Sequence, residues 1–336
     1  MNTRKIVLAG ARLALLVIFA WSAATARAAE TGAPEPAATA VAGAPPVPAA
    51  SPAPPPPPYS LPWQLRSVAP ATVVRSDTAM ALYENAMGQQ GSTVATMLLG
   101  SYKVTPNLAP LVRLGFVQNS APGTDPSGNS FLNPIVGLTY GLKLGTFRVA
   151  GFLAGTVPVG SGGGDTPDKG AATANKAGIA ARSGMDNSMF AVDYFTGIAG
   201  VDAAYVSHRF TVQAEATLFQ LFRVRGAGTA PATDSSRTNS TYGLHAGFFF
   251  IPQLSLGAEL RTQRWLTTPT QLVMGKAVAI PDANMDTTTV AIGPRGHFAL
   301  GRGVFFRPGI SYARGLDKPL TASSYNMVQV DLPFVF

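Results

Sequence analysis

From about residue 71 to residue 336 the chain alternates apolar and polar side chains with a period of two, as strands do when one face meets an apolar medium and the other a polar one. The final stretch is the clearest: in Asn326-Met327-Val328-Gln329-Val330-Asp331-Leu332-Pro333-Phe334-Val335-Phe336 every even-numbered residue from Val328 on is apolar. The same pattern predicts twelve strands, over residues 71–83, 92–104, 109–119, 131–144, 146–158, 195–205, 210–225, 241–250, 254–266, 287–299, 304–314 and 325–336. Short connections carry the residues that hairpins favour: Thr105-Pro106-Asn107, Gly145-Thr146, Val206 to Arg209, Ile251-Pro252-Gln253 and Leu300 to Gly303. Long polar stretches, 84–91, 120–130, 159–194, 226–240, 267–286 and 315–324, lie between them. Short and long alternate throughout, so all tight turns fall at one end of the strands and all long loops at the other.

No apolar run from residue 71 onward reaches the roughly 20 residues of a spanning helix. A soluble β-sandwich would explain alternation and turns but gives no reason to segregate loop lengths or to end on Phe336. The even strand count, one-sided long loops and aromatic last residue together resemble bacterial outer-membrane β-barrels, porin-like and twelve-stranded. That resemblance covers Ala71 to Phe336. It implies an all-β, transmembrane, antiparallel up-and-down barrel in the outer membrane, with lipid and the barrel assembly machinery as partners and Phe336 as the assembly signal.

The period of two sorts side chains onto faces. Val112, Leu114 and Phe116, then Val212, Ala214, Ala216 and Leu218, then Leu254, Leu256, Ala258 and Leu260 are expected to face lipid, as are Val290, Ile292, Phe298, Ile310 and Tyr312. A charge on that face near the midplane would cost about 2–4 kcal/mol, and nearly every strand charge falls on the other face. Lys103, Arg113, Lys143, Arg148, Arg223, Arg261, Arg295 and Arg307 are therefore expected to line the lumen with Arg75 and Arg225, against counter-charges Asp77, Glu215, Glu259 and Asp331 with Asp202. Basic groups outnumber acids, which predicts an anion-favouring interior. Turn counting places Lys143 across from Arg148, Arg295 across from Arg307, His245 across from Glu259, and Pro294 across from Pro308. Opposed like charges destabilise a strand pair unless something offsets them, and a proline marks a bulge or an edge.

The other end of the chain reads as a leader and a linker. Met1-Asn2-Thr3-Arg4-Lys5, an apolar stretch to Trp21 interrupted by Arg12, and Ala26-Arg27-Ala28 form the pattern of a secretory signal peptide over residues 1–28. Its removal would lower the formal charge from +8 to +4, because Arg4, Lys5, Arg12 and Arg27 leave with no acid. Residues 29–58, dominated by Ala, Pro and Gly, read as a disordered linker, with cell-wall contact as one role. The barrel domain is expected over 59–336, with strands from about 71.

Little else in the sequence suggests chemistry. There is no cysteine, which excludes disulfides and Cys-based metal sites. No basic nucleic-acid module is recognisable, so nucleic acid is not an expected partner. Gly160 to Asp165 lacks the Gly-Lys-Ser/Thr ending of a phosphate loop, and none of His208, His245 and His297 stands two residues before a serine, the arrangement that the outer-membrane phospholipase family would imply. No catalytic residue, cofactor or metal is expected. The expected function is a porin-like channel for passive diffusion of small hydrophilic, preferably anionic, solutes. The alternative is a structural or adhesive barrel with a salt-bridged closed lumen and binding external loops. The 159–194 insertion carries an Ala-rich run, Ala171 to Ala181, able to form about three helical turns, and could fold inward or project outward.

Overall fold

The computed structural model describes residues 59–226, 234–274, 276–280 and 286–336. The expected signal peptide and linker lie outside these residues. The strands are β1 (Val73–Glu84), β2 (Gln90–Ser101), β3 (Leu108–Ser120), β4 (Gly128–Phe131), β5 (Ile135–Leu144), β6 (Phe147–Thr156), β7 (Tyr194–Val206), β8 (Phe210–Arg223), β9 (Ser236–Ile251), β10 (Leu254–Trp265), β11 (Thr270–Val273), β12 (Lys276–Ala279), β13 (Thr287–Gly296), β14 (Phe298–Gly301), β15 (Val304–Phe306), β16 (Gly309–Gly315) and β17 (Asn326–Val335). The helices are α1 (Lys169–Ala181), α2 (Asn187–Phe190) and α3 (Lys318–Thr321).

Twelve of these strands close a ring in the order β1-β2-β3-β5-β6-β7-β8-β9-β10-β13-β16-β17, each antiparallel to its neighbours, and β17 returns to pair with β1. Closure satisfies every strand edge along the ring, the condition for backbone to cross a bilayer. The remaining strands extend it. β4 continues the β5 side of the wall beyond a break at Leu132 to Pro134 and pairs with β3; β14 and β15 form the hairpin between β13 and β16; β11 and β12 form a separate ribbon in the 266–286 loop.

The outer face is an apolar belt. Val112, Phe116, Leu218, Leu244, Leu260, Val290, Ile292, Ile310, Val328 and Leu332 are all exposed, while their strand neighbours Arg75, Asp77, Gln213, Glu215, Glu259, Arg261 and Asp331 are buried inside the ring. An oily outside and a polar, charged inside invert the order of a soluble domain.

Two of the four expected pairings hold. Lys143 pairs with Arg148 and His245 with Glu259. The hairpin joining the tenth and eleventh ring strands does not: Arg295 stands across from Gly309, not Arg307, and the two prolines are not opposed. The turn there is Arg302-Gly303, with φ of 50° and 79° between the paired Gly301 and Val304. Two successive positive φ values belong to a type I′ turn; centring the turn on them moves the pairing by three residues, and the irregularity between Ala299 and Gly301 takes one back, so that Arg295 meets Gly309. Pro308 interrupts the strand between β15 and β16, where its carbonyl accepts from the Gly296 N–H at 2.8 Å and its missing N–H leaves no ladder bond to lose.

Candidate functional site

The lumen is occupied from both ends. At the short-turn end, residues 59–70 lie inside the barrel before β1 begins. Trp63 and Leu65 are each 1% exposed, and Tyr59, Ser60, Leu61, Gln64 and Val68 are also buried. The segment has no strand or helix of its own, so its backbone polar groups must bond to the wall, and they do. The Glu259 carboxylate accepts from the N–H of Trp63 and of Gln64; Glu215 accepts from the Arg66 N–H at 2.6 Å; Thr211 accepts from the Ser60 N–H at 3.0 Å. Gln213 donates to the Arg66 carbonyl at 2.6 Å, and Arg75 donates to the carbonyls of Pro62 and Trp63.

Inward-facing glycines make the room. A Cβ on Gly243 would stand 2.7 Å from the Leu65 side chain, on Gly257 or Gly309 2.9 Å from the Trp63 ring, and on Gly141 or Gly200 2.5 Å from Pro70 or Arg66. These five glycines come from five ring strands, and together they form a groove fitted to the plug segment.

From the long-loop end, the 157–193 connection folds inward. Asp168 caps α1 by accepting from the Ala171 N–H at 2.7 Å, and the helix turns Ala171, Ala174, Gly178 and Ala181 into the interior. Their small side chains let it lie close against β2 and β3; a Cβ on Gly178 would already strike Phe190 and Val117. Past its end, Arg182 to Phe190 are buried.

Ion pairs join the two inserts to the wall. Arg66 reaches Asp202 at 3.3 Å and Glu215 at 3.2 Å. Asp331 lies between Arg75 at 2.7 Å and Arg295 at 2.6 Å. Arg182 joins Asp77 at 2.7 Å to Asp186 at 2.8 Å, and Arg113 meets Asp186 at 2.5 Å. Arg261 holds Glu259 at 2.6 Å, whose other oxygen lies 3.5 Å from His245 Nδ1. Burial alone would lower the Arg182 pKa, but the charges of Asp77 and Asp186 prevail and hold it above its ordinary value. Six arginines thus meet six carboxylates in this network: Arg66, Arg75, Arg113, Arg182, Arg261 and Arg295 with Asp77, Asp186, Asp202, Glu215, Glu259 and Asp331. Arg75 holds the plug and the adjacent Asp77 holds the loop, so one strand serves both.

The expected lumen residues therefore divide. Arg113, Arg261 and Arg295 lie inside in ion pairs, as do Asp77, Glu215, Glu259 and Asp331. Lys103 lies beyond the end of β2, exposed in the turn, and Lys143 is exposed beside it at the same end. Arg148 stacks over the Tyr59 ring at 5.3 Å, and Arg307 lies 5.6 Å over Phe305. Arg223, at the opposite end, lies over Tyr194 at 5.6 Å. Phe336 donates its backbone N–H to the Thr72 carbonyl at 2.9 Å, and its ring is exposed.

Periodicity did not reveal Arg66, Arg182, Asp186 or the plug. The available signal was compositional: Tyr59-Ser60-Leu61-Pro62-Trp63-Gln64-Leu65-Arg66 places large apolar side chains directly after a Pro/Ala run, before any alternation starts. One side of the lumen also departs from the expected polar lining. Met97, Ile135, Phe152, Ile198 and Phe219 face inward and, with Leu111, border a cavity of about 140 Å³, partly open to solvent, beside the plug. Arg66, Arg75, Asp77, Arg113, Asp186 and Glu215 line its charged side.

Closed ring, apolar belt and charged interior define an outer-membrane β-barrel, and the outer membrane is where this chain resides. In structure it is similar to an outer membrane channel from Pseudomonas putida F1, 13% identical, with a TM-score of 0.53 over 82% of this chain and 98% of that one. More distant are the KdgM porin in complex with disordered oligogalacturonate, 10% identical over 79% of this chain and 99% of that one with a TM-score of 0.41, and the transport unit of the autotransporter AIDA-I from Escherichia coli, 11% identical over 83% and 93% with a TM-score of 0.42. At these identities the likeness is one of fold. No protein-family model matches the chain, and no curated protein matches it in sequence.

Proposed function

We propose that the chain is a porin-like channel for passive diffusion of small hydrophilic solutes, with a preference for anions imposed at its short-turn mouth. The observation that carries the anion preference is the charge of that mouth. Lys103, Lys143, Arg148, Arg209, Arg302 and Arg307 lie in or beside its turns, and the described turn residues there include no Asp or Glu side chain. The inner network is balanced, so it adds little net field, whereas an uncompensated basic collar concentrates anions at the entrance. The polar, charged lumen and the solvent-open space beside the plug support passage; no covalent chemistry is needed.

Reversal potentials in planar bilayers test this. Across a potassium chloride gradient the purified protein should show a potential on the chloride side of zero. Replacing Lys143 and Arg148 with Ser should move it toward zero, because both charges lie at the mouth and neither belongs to the six-by-six network. An unchanged potential would count against the collar, and no current above leak against the channel.

A second reading rests on the inserts themselves. With plug and loop both fixed by buried ion pairs, the barrel would serve as a closed scaffold whose long loops bind a partner. Absence of current from the intact protein and from one lacking the plug would favour it.

A further inference from the structure

Asp202 on β7 and Glu215 on β8 are direct cross-strand partners facing the lumen. Two carboxylates in that relation repel, and a single cation lies between them: the plug's Arg66. Its Nε and Nη2 each stand 3.3 Å from Asp202 oxygens, and its Nη1 lies 3.2 Å from Glu215 and donates to Thr217 Oγ1 at 2.7 Å. The guanidinium carbon is 4.7 Å from the centre of the Phe152 ring. Gly200 completes the fit, since a Cβ there would come within 2.5 Å of Nη2.

We propose that these five residues form a guanidinium-binding socket that the chain fills with its own Arg66, and that small solutes bearing a guanidinium compete for it and release the plug. The chemistry selects this class. Two carboxylates, a hydroxyl and an aromatic face match a planar, multiply donating cation and fit a compact ammonium far less well. The arrangement also permits exchange. The Arg66 side chain is 18% exposed while the two acids are 0% and 4% exposed, and Arg66 and Glu215 border the solvent-open space, so a competitor has a route to the acids. When Arg66 leaves, the acids need a replacement cation, and an incoming guanidinium supplies it. The rest of the plug is held by hydrogen bonds and by Trp63 rather than by a second cation of its own.

The role given to release rests on the channel reading, so the test uses two readouts. Full-length protein carrying Trp21→Phe and Trp265→Phe reports the plug through Trp63, its one remaining tryptophan, and the same protein in planar bilayers reports conductance. Guanidinium chloride should shift Trp63 emission to the red and raise conductance several-fold, where an equal concentration of potassium chloride does neither. Arg66→Ala should show the shifted emission and the raised conductance without guanidinium and respond to it no further, and Arg66→Lys should fall between the two. Emission unchanged by guanidinium, or an Arg66→Ala protein indistinguishable from its parent, would overturn the socket. A variant lacking residues 59–70 separates the readings: if that barrel is silent the channel reading falls, and Trp63 emission alone still decides the socket.

Discussion

Arg182 shows what a single buried charge does in this lumen. It is fully buried, and its guanidinium spans Asp77 on the wall and Asp186 on its own loop. Neither acid has water to fall back on, so their ionised forms depend on it. Removing one partner of such a set leaves an uncompensated buried charge, which costs about 3–5 kcal/mol. Arg182→Met should therefore undock the 157–193 loop while the strands stay paired, because Asp77 loses its nearest cation and Asp186 keeps only Arg113. Limited proteolysis of the folded protein reads this as new cleavage inside the loop, and an uncut loop would mean that apolar packing alone holds it. Sequence marks such residues poorly: Arg182 and Asp186 sit at i,i+4 spacing in a polar insertion, indistinguishable there from a solvated pair. Arg113 and Glu259, by contrast, were legible because they fall on the polar parity of a strand.

At the scale of elements, the strands were readable and the inserts were not, for one physical reason. A strand between lipid and lumen repeats its environment every two residues, and the alternation records it. A segment buried on all sides inside a barrel repeats nothing. The plug is a single pass of irregular backbone, and α1 buries a face made of alanine and glycine, too small to stand out in an Ala-rich run. Gly178 is where that helix packs against Phe190 of its own insertion and Val117 of β3. A Leu there would collide with Phe190 and Val117, and overpacking of this kind costs about 1–3 kcal/mol. Gly178→Leu should loosen the loop as Arg182→Met does, without removing any charge, so the two variants separate steric from ionic docking in the same protease assay. The displaced hairpin register has its own cause: Arg302 takes a left-handed conformation that its residue type does not announce, and the later turn centre, with the irregularity between Ala299 and Gly301, moves the pairing by two.

For the whole molecule, the decisive contact is the seam where β17 meets β1 and the ring closes. Its register sets Asp77 directly against Asp331, two like charges at the one junction that joins the chain's most distant strands. Three arginines offset them: Arg75 from the seam itself, Arg295 from β13, and Arg182 from the inward loop. Closure and filling of the barrel are thereby coupled, since Asp77 has its ion-pair partner only when the loop is docked, and the arginines on Asp331 also hold the plug through the Pro62 carbonyl. Arg295→Met should consequently lower the temperature at which the compact, folded band converts to the unfolded band on gels of heated samples. The loss comes from leaving Asp331 under-compensated, not from losing an attraction as such, so Asp331→Asn added to Arg295→Met should recover part of it. A double variant no more heat-resistant than Arg295→Met alone would show that the arginine acts through its bonds to the Pro62 and Arg307 carbonyls and that the seam tolerates its acids without it.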